Sequence, residues 1–304
     1  MLRTLQSRNT NPNEIKKAIN SMTYNGILIT GGTGYFGRGF VRTVLDRQLS
    51  ERVCVLSRDE YKQALMRAEF GNDPRLRFFV GDVRDAERLR RAMEGVELVV
   101  HAAALKRVEV GEYCSDEMAK TNVMGSMNVI QAATDAHVSK VVALSTDKAC
   151  EPVNAYGASK LLSEKLFLAA NNSRGAHGPR FAVCRYGNVA GSTGSVIPTW
   201  RRLIQAGQAV SMTDPEATRF WMRLDEAIQL VLYTAETMQG GELSIPALPA
   251  YRVGDLAKAM GVSPRVMGLG AGEKLHESMR PGETSEHARR MSIDELRKEL
   301  EHVA

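Results

Sequence analysis

The run Thr30-Gly31-Gly32-Thr33-Gly34-Tyr35-Phe36-Gly37 follows the apolar stretch Ile27-Leu28-Ile29 directly and opens a helical pattern from Phe40 to Leu45. A strand that passes into a helix through closely spaced glycines has few folds open to it. Glycine permits the tight turn and the close backbone approach, and the helix must then pack back onto a sheet. Apolar runs of strand length recur between helical patterns, at Val53-Cys54-Val55-Leu56, Leu76 to Val80, Leu98-Val99-Val100, Val141 to Leu144 and Phe181 to Cys184. Near-continuous hydrophobic strands separated by helices describe a parallel sheet covered on both faces. The expected fold class is therefore α/β, a doubly wound parallel sheet with a smaller C-terminal lobe.

The 304 residues, 43% apolar and 25% charged, can bury one large core together with such a lobe. After Tyr186 the pattern becomes irregular, then resumes as a helix from Asp225 to Thr237 and another near Val253 to Met260. We expect a cofactor domain over residues 24–187, with a return segment at about 214–246. Residues 188–213 and 247–304 would form a substrate-binding lobe, and residues 1–23 a polar arm with at most a short helix from Asn13 to Met22. The net charge of +5 comes from scattered Lys and Arg residues without a basic run, so no nucleic-acid partner is expected. Cys54, Cys114, Cys150 and Cys184 show no paired spacing and read as reduced thiols of a cytoplasmic protein without a metal site. No apolar stretch approaches the roughly 20 residues needed to span a bilayer, so no membrane association is expected.

The glycine-rich turn has the context of a dinucleotide site. Gly31, Thr33, Gly34, Tyr35, Phe36 and Gly37 would surround a pyrophosphate held at the helix N-terminus. The second strand is followed by Ser57-Arg58, where an NAD site would usually carry an acidic residue. Arginine there can pair with a 2′-phosphate, so NADP is the expected cofactor, with Lys62 assisting. Asp59 and Glu60 could reach a ribose hydroxyl or cap a helix. Asp82, with Val83, closes the third strand and serves either an adenine amine or a helix cap. The small side chains of Ala102, Ala103 and Ala104, after His101, suit a flat cofactor passing over the sheet edge.

Tyr156 and Lys160 stand four apart on a helical pattern, so both project from one face. An ammonium beside a phenol, near a cationic nicotinamide, favours phenolate and would lower the tyrosine toward neutrality. Ser145-Thr146-Asp147-Lys148 ends the preceding strand, placing an acid and an amine beside that couple. That is more chemistry than hydride transfer needs, and it points to a dehydration coupled to a redox step. A surface turn with a local ion pair is the alternative for Asp147 and Lys148.

These segments, together with SRDEYKQ, GDVRD, HAAALKRV, KTNVMGSMNVI, RYGNVAGSTGSVIP, TRFWMRLDEA, MQGGELSIP and GEKLHESM, resemble the extended short-chain dehydrogenase/reductases. Within them the chain is similar to the C5-inverting UDP-N-acetylglucosamine 4,6-dehydratases of the pseudaminic acid type. The resemblance implies a Rossmann sheet, NADP, a nucleotide-sugar substrate, UDP-N-acetylglucosamine, and a homodimer or higher homo-oligomer. It implies that Tyr156, supported by Lys160 and Thr146, deprotonates the C4 hydroxyl, that Lys148 removes the C5 hydrogen, and that Asp147 protonates the departing C6 hydroxyl. Tyr156 and Lys160 would also contact the cofactor. It places Asn188 near the diphosphate or acetamido group, unless it caps the following turn, and Arg219 on a phosphate. Lys106 would face the sugar or remain a surface lysine. Glu273 to Glu277 reads as a helix in the small lobe. The same core could instead retain C5, release a 5,6-alkene or epimerise the sugar. A non-catalytic NADP-binding sensor is the alternative of another class. Thr193 and Gly270-Ala271-Gly272 depart from the arginine-containing motifs of that family.

Overall fold

A computed structural model describes residues 23–303. Of the expected N-terminal arm, only Thr23 falls within that range, and the helix expected from Asn13 to Met22 lies outside it. The strands are β1 (Ile27–Thr30), β2 (Val53–Ser57), β3 (Leu76–Val80), β4 (Leu98–His101), β5 (Lys140–Thr146), β6 (Arg180–Tyr186), β7 (Asn188–Val189), β8 (Ser211–Met212), β9 (Thr218–Met222), β10 (Leu243–Ser244), β11 (Ala250–Arg252), β12 (Arg265–Val266), β13 (Ser278–Arg280) and β14 (Glu283–Thr284). Seven of them form one sheet in the order β10-β6-β5-β4-β1-β2-β3, and every pairing in it is parallel.

The strands read as unbroken apolar runs because successive side chains enter different cores. Ile27, Ile29, Val53, Val55, Val100, Val142 and Ala182 face the helices Tyr35–Asp46 and Leu224–Thr237. Leu28, Cys54, Val99, Val141 and Phe181 face the helices Ala86–Met93, Gly125–Asp135 and Ala155–Ser173. The strand order reverses between β1 and β4, which opens a crevice at their carboxyl ends.

A third core gathers Trp200, Trp221, Tyr251, Leu256 and Leu296 around the three-stranded sheet β11-β9-β7. Trp221 and Tyr251 meet edge to face at 5.6 Å. The segment Glu273–Glu277 is not the helix expected from sequence. Gly272, at φ +81°, turns the chain, Lys274 donates to the Cys150 carbonyl at 2.7 Å, and His276 bridges Thr218 in extended conformation. Those long-range bonds draw the segment out along the sheet edge and carry Glu277 inward, where it is 2% exposed.

Candidate active site

The glycine turn is packed as a dinucleotide cradle. A Cβ on Gly31 (φ +67°) would lie 2.9 Å from the Ala103 backbone, and one on Gly37 would lie 2.5 Å from Gly32. The loop therefore lies directly against the ends of β1 and β4, as close backbone approach demands. Gly34 caps the following helix without a side-chain hydrogen bond, and no acidic residue sits in its first turn. The helix thus presents uncapped N–H groups and its positive end, which fits a pyrophosphate. Phe36 stacks on Phe40 at 5.9 Å, and the Tyr35 hydroxyl donates to the Ala190 carbonyl at 3.0 Å, tying this turn to the segment after β7.

At the end of β2, the Ser57 hydroxyl accepts from Gln63 Nε2 at 3.0 Å. Arg58 is exposed, its guanidinium 3.7 Å from Asp82. Asp59 caps the helix Glu60–Glu69 by accepting from the Lys62 amide, and the Lys62 ammonium lies 3.3 Å from the Asp59 carboxylate. Asp82 is not a helix cap. That place belongs to Asp85, and Asp82 instead holds Arg84 at 2.8 Å. Val83 is buried and packs in the core. Ala102 to Ala104 are half-buried, with the Ala103 amide donating to Thr30 Oγ1 at 3.2 Å.

β5 ends at Thr146, and a single 3₁₀ turn, Asp147–Ala149, follows. The helix Ala155–Ser173 starts against this turn, with Asn154 capping Gly157 N at 2.7 Å. Only glycine fits at 157, since a Cβ there would lie 2.2 Å from the Lys148 carbonyl oxygen. This contact sets the start of the helix that carries Tyr156 against the turn that carries Asp147 and Lys148. The Thr146 hydroxyl donates to Asp147 Oδ1 at 2.9 Å. Lys148 Nζ lies 3.0 Å from Asp147 Oδ1 and 3.0 Å from Glu277 Oε1. Burial pulls the Lys148 amine down, but the carboxylates of Asp147 and Glu277 outweigh it and hold its pKa above the ordinary lysine value. The ammonium form is therefore the one the protein favours.

Burial pushes the Tyr156 phenol up to about 12, against the opposing pull of Lys148 and Thr146. The amine acting on the phenol is Lys148, because Lys160 lies one helical turn deeper. Lys160, 4% exposed, has its pKa lowered to about 8 by burial, with Glu164 opposing. His101 lies close to it and is kept neutral, its pKa lowered to about 3 by burial and by the Lys160 charge. Its Nδ1 pairs with Thr30 Oγ1 at 2.8 Å.

Arg219 is turned toward this cluster. It donates to the carbonyls of Thr218 and Leu275 at 2.8 and 3.1 Å, with Nε 3.9 Å from Glu277. Asn188 is half-buried and stands opposite Trp221 in the β7–β9 pairing. Lys106 is exposed. Near Thr193, the guanidinium of Arg107 reaches to within 3.8 Å of a Cβ built on Gly194. Arg280 is bound to Glu283 at 2.8 Å across the β13–β14 turn.

Two groups escaped the sequence reading. Glu277 was read only as the end of a small-lobe helix, Glu273 to Glu277. The buried pair Arg185–Glu164 was not visible at all, although it backs the site from behind. Glu164 accepts from Ser145 Oγ at 2.6 Å and from Arg185 Nε at 2.8 Å, and Arg185 reaches the Met279 carbonyl at 2.7 Å.

A doubly wound sheet with a glycine cradle at its switch point and a Tyr-x-x-x-Lys helix beside it defines an extended short-chain dehydrogenase/reductase. The chain belongs to the family described as polysaccharide biosynthesis protein, which matches residues 27–296. A UDP-N-acetylglucosamine 4,6-dehydratase (inverting) of Campylobacter jejuni is 50% identical over 83% of this chain and 76% of its own length. A UDP-glucose 4-epimerase of Rickettsia canadensis is 41% identical over 83% of this chain and 76% of its own. Among solved structures, Pen from Bacillus thuringiensis superposes with a TM-score of 0.88 at 33% identity, covering 92% of this chain and 99% of that one.

Proposed function

We propose that the protein dehydrates UDP-N-acetylglucosamine to a UDP-4-keto-6-deoxy-hexose with inversion at C5, using NADP. The observation that carries this reading is the Asp147–Lys148 pair in the turn that abuts the start of the Tyr156 helix, because an epimerase needs neither an acid for C6 nor a base for C5. The half-identity to the inverting dehydratase of Campylobacter jejuni supports it.

The bound nicotinamide supplies a hydride acceptor for C4 and a donor for C6. Tyr156 takes the C4 hydroxyl proton, Lys148 the C5 proton, and Asp147 gives a proton to the leaving C6 hydroxyl. Asp147 Oδ2 is buried and has no hydrogen-bond partner among the described residues, so it is the atom placed to meet that hydroxyl. Thr146 positions Asp147 and steadies the phenol. The cradle of Gly31, Thr33, Gly34, Tyr35, Phe36 and Gly37 holds the pyrophosphate, and Ala102, Ala103 and Ala104 line the sheet edge. Arg58 meets the 2′-phosphate, with Lys62 in reserve. Asn188, Arg219 and Lys106 face the nucleotide sugar. We place the protein in the cytoplasm, where the free thiols of Cys54, Cys114, Cys150 and Cys184 would stay reduced. We also propose a homodimer.

The test is incubation with UDP-N-acetylglucosamine in heavy water, read by NMR. The expected product is a 4-keto-6-deoxy sugar deuterated at C5 with L-arabino geometry. Unchanged substrate, or a C4 epimer without deuterium at C5, would show the reading to be wrong. Lys148→Ala should lose C5 exchange while still binding NADP.

A further inference from the structure

Glu277 reaches the reaction centre from more than a hundred residues away in sequence, yet it makes a contact with Lys148 as short as that of the adjacent Asp147, 3.0 Å. It is almost wholly buried. Its amide donates to Ser285 Oγ at 2.9 Å, and that hydroxyl donates to the Thr218 carbonyl at 3.1 Å, so its backbone is fixed. Its second oxygen, Oε2, is buried without a hydrogen-bond partner among the described residues. A carboxylate held this way is oriented toward one purpose, the amine in front of it. Burial of an ion pair gives poor stability for its cost, so function is the better account of its presence.

Resting on the reading above, we propose that Glu277 is a positioning residue for C5 chemistry: it aims Lys148 Nζ and stabilises the ammonium that forms there as the C5–H bond breaks.

The proton count supports this. The structure holds an ammonium between two carboxylates. With one proton moved from Nζ to the Asp147 carboxylate, the pair 3.0 Å apart becomes a neutral amine beside a carboxylic acid with the same net charge, the acid proton facing C6 on Oδ2. That second arrangement is the one that starts elimination. The C5 proton then passes to Nζ, and its electron pair forms the C5–C6 double bond. The C6–O bond breaks toward oxygen, which takes the Asp147 proton and leaves as water. Lys148 ends as ammonium and Asp147 as carboxylate, which is the arrangement the folded chain already favours. The site is thus preorganised for the charges that elimination develops, and such preorganisation lowers a barrier where ground-state binding does not. With Asp147 protonated, Glu277 is the carboxylate left in contact with Nζ. The remaining polar groups around the amine are Tyr156 from the long helix, Arg219 from β9 and Tyr251 from β11.

Glu277→Gln keeps the shape and removes the charge, and Glu277→Asp keeps the charge at shorter reach. In the ligand-free protein, amine-selective acylation of Lys148 is followed by mass spectrometry across pH. The Gln variant should label at lower pH than wild type, with roughly tenfold greater reactivity per unit of lowered pKa, and the Asp variant should fall between. With UDP-N-acetylglucosamine, the Gln variant should lose at least about tenfold in C5 deuterium exchange, an effect of the size expected for charge stabilisation. Its KM and its C4 oxidation, read by reduced-cofactor absorbance, should stay near wild type. An unchanged labelling profile overturns the proposal, as does equal loss of C4 oxidation and C5 exchange. If the wild-type protein leaves UDP-N-acetylglucosamine untouched, the proposed reaction falls, and the labelling profile alone decides whether Glu277 governs Lys148.

Discussion

Lys148 and Lys160 are buried amines of one site, yet their surroundings drive them in opposite directions. Lys148 has two carboxylates at 3.0 Å and is held protonated. Its stabilising contribution is present below the unfolded lysine pKa and fades only as pH rises through its raised folded value. Lys160 is desolvated, with its pKa lowered to about 8. Its contribution is complete above the unfolded lysine pKa and is lost as pH falls toward 8, so at neutral pH it costs stability. Lys160→Met should therefore stabilise the protein at pH 7 by about 1–3 kcal/mol, from the size of the shift. The gain should shrink as pH rises from 8 toward 10.5, while turnover is lost. Denaturant unfolding of both proteins at the two ends of that window measures it. Arg58 makes only a 3.7 Å contact with Asp82 and stands exposed at the end of β2. Arg58→Ala should raise the KM for NADP by roughly 10- to 100-fold, the worth of a charge-assisted phosphate contact, and leave NAD use little changed. Steady-state kinetics with both cofactors checks the ratio.

At the scale of elements, the helix Ala155–Ser173 is fastened twice. At its start, Gly157 lets it touch the Lys148 carbonyl, and Gly157→Ala would force the two apart. We expect a loss of about 1–3 kcal/mol from the overpacked contact and a fall in kcat larger than any change in cofactor affinity, since Tyr156 would lift off the Asp147 turn. Two turns further on, Glu164 joins Ser145 of β5, Arg185 of β6 and, through Arg185, Met279 of β13. Glu164→Gln leaves the guanidinium buried with half its partner, and should cost about 3–5 kcal/mol in urea unfolding. Replacing both residues by apolar ones of similar volume should cost much less, which distinguishes a stranded charge from lost packing.

At the scale of the whole molecule, the site is a junction. β1, β2 and β4 frame the cofactor cradle, β5 and the long helix carry the proton-handling groups, and the segments around β7, β9 and β13 close over them. The helices Gly125–Asp135 and Ala155–Ser173 leave Met127 and Leu162 about half exposed, at 52% and 49%. Such a surface, on the elements that support the site, is where the proposed homodimer would pair. Size-exclusion chromatography with light scattering should show a dimer that Met127→Lys with Leu162→Lys converts to a monomer. A monomeric wild-type protein would refute the pairing.

Much of this was legible in the chain because it is local. The doubly wound sheet follows from apolar runs of strand length, and the cradle from glycines placed directly after the first run. The Asp147–Lys148 turn and the Tyr156–Lys160 spacing each lie within a few residues, so periodicity alone sets them on one strand end and one helix face. What the sequence could not decide was which distant charges meet. Glu277 was read as part of a helix, and only its long-range bonds to the first lobe draw that segment out and bury the carboxylate against Lys148. The same holds for the phenol of Tyr156, whose acidity depends on burial and on Lys148, and for the opposite states of the two lysines. Spacing determines which residues share an element. Electrostatics depends on distance and solvent exclusion between elements, and those exist only once the tertiary structure has closed.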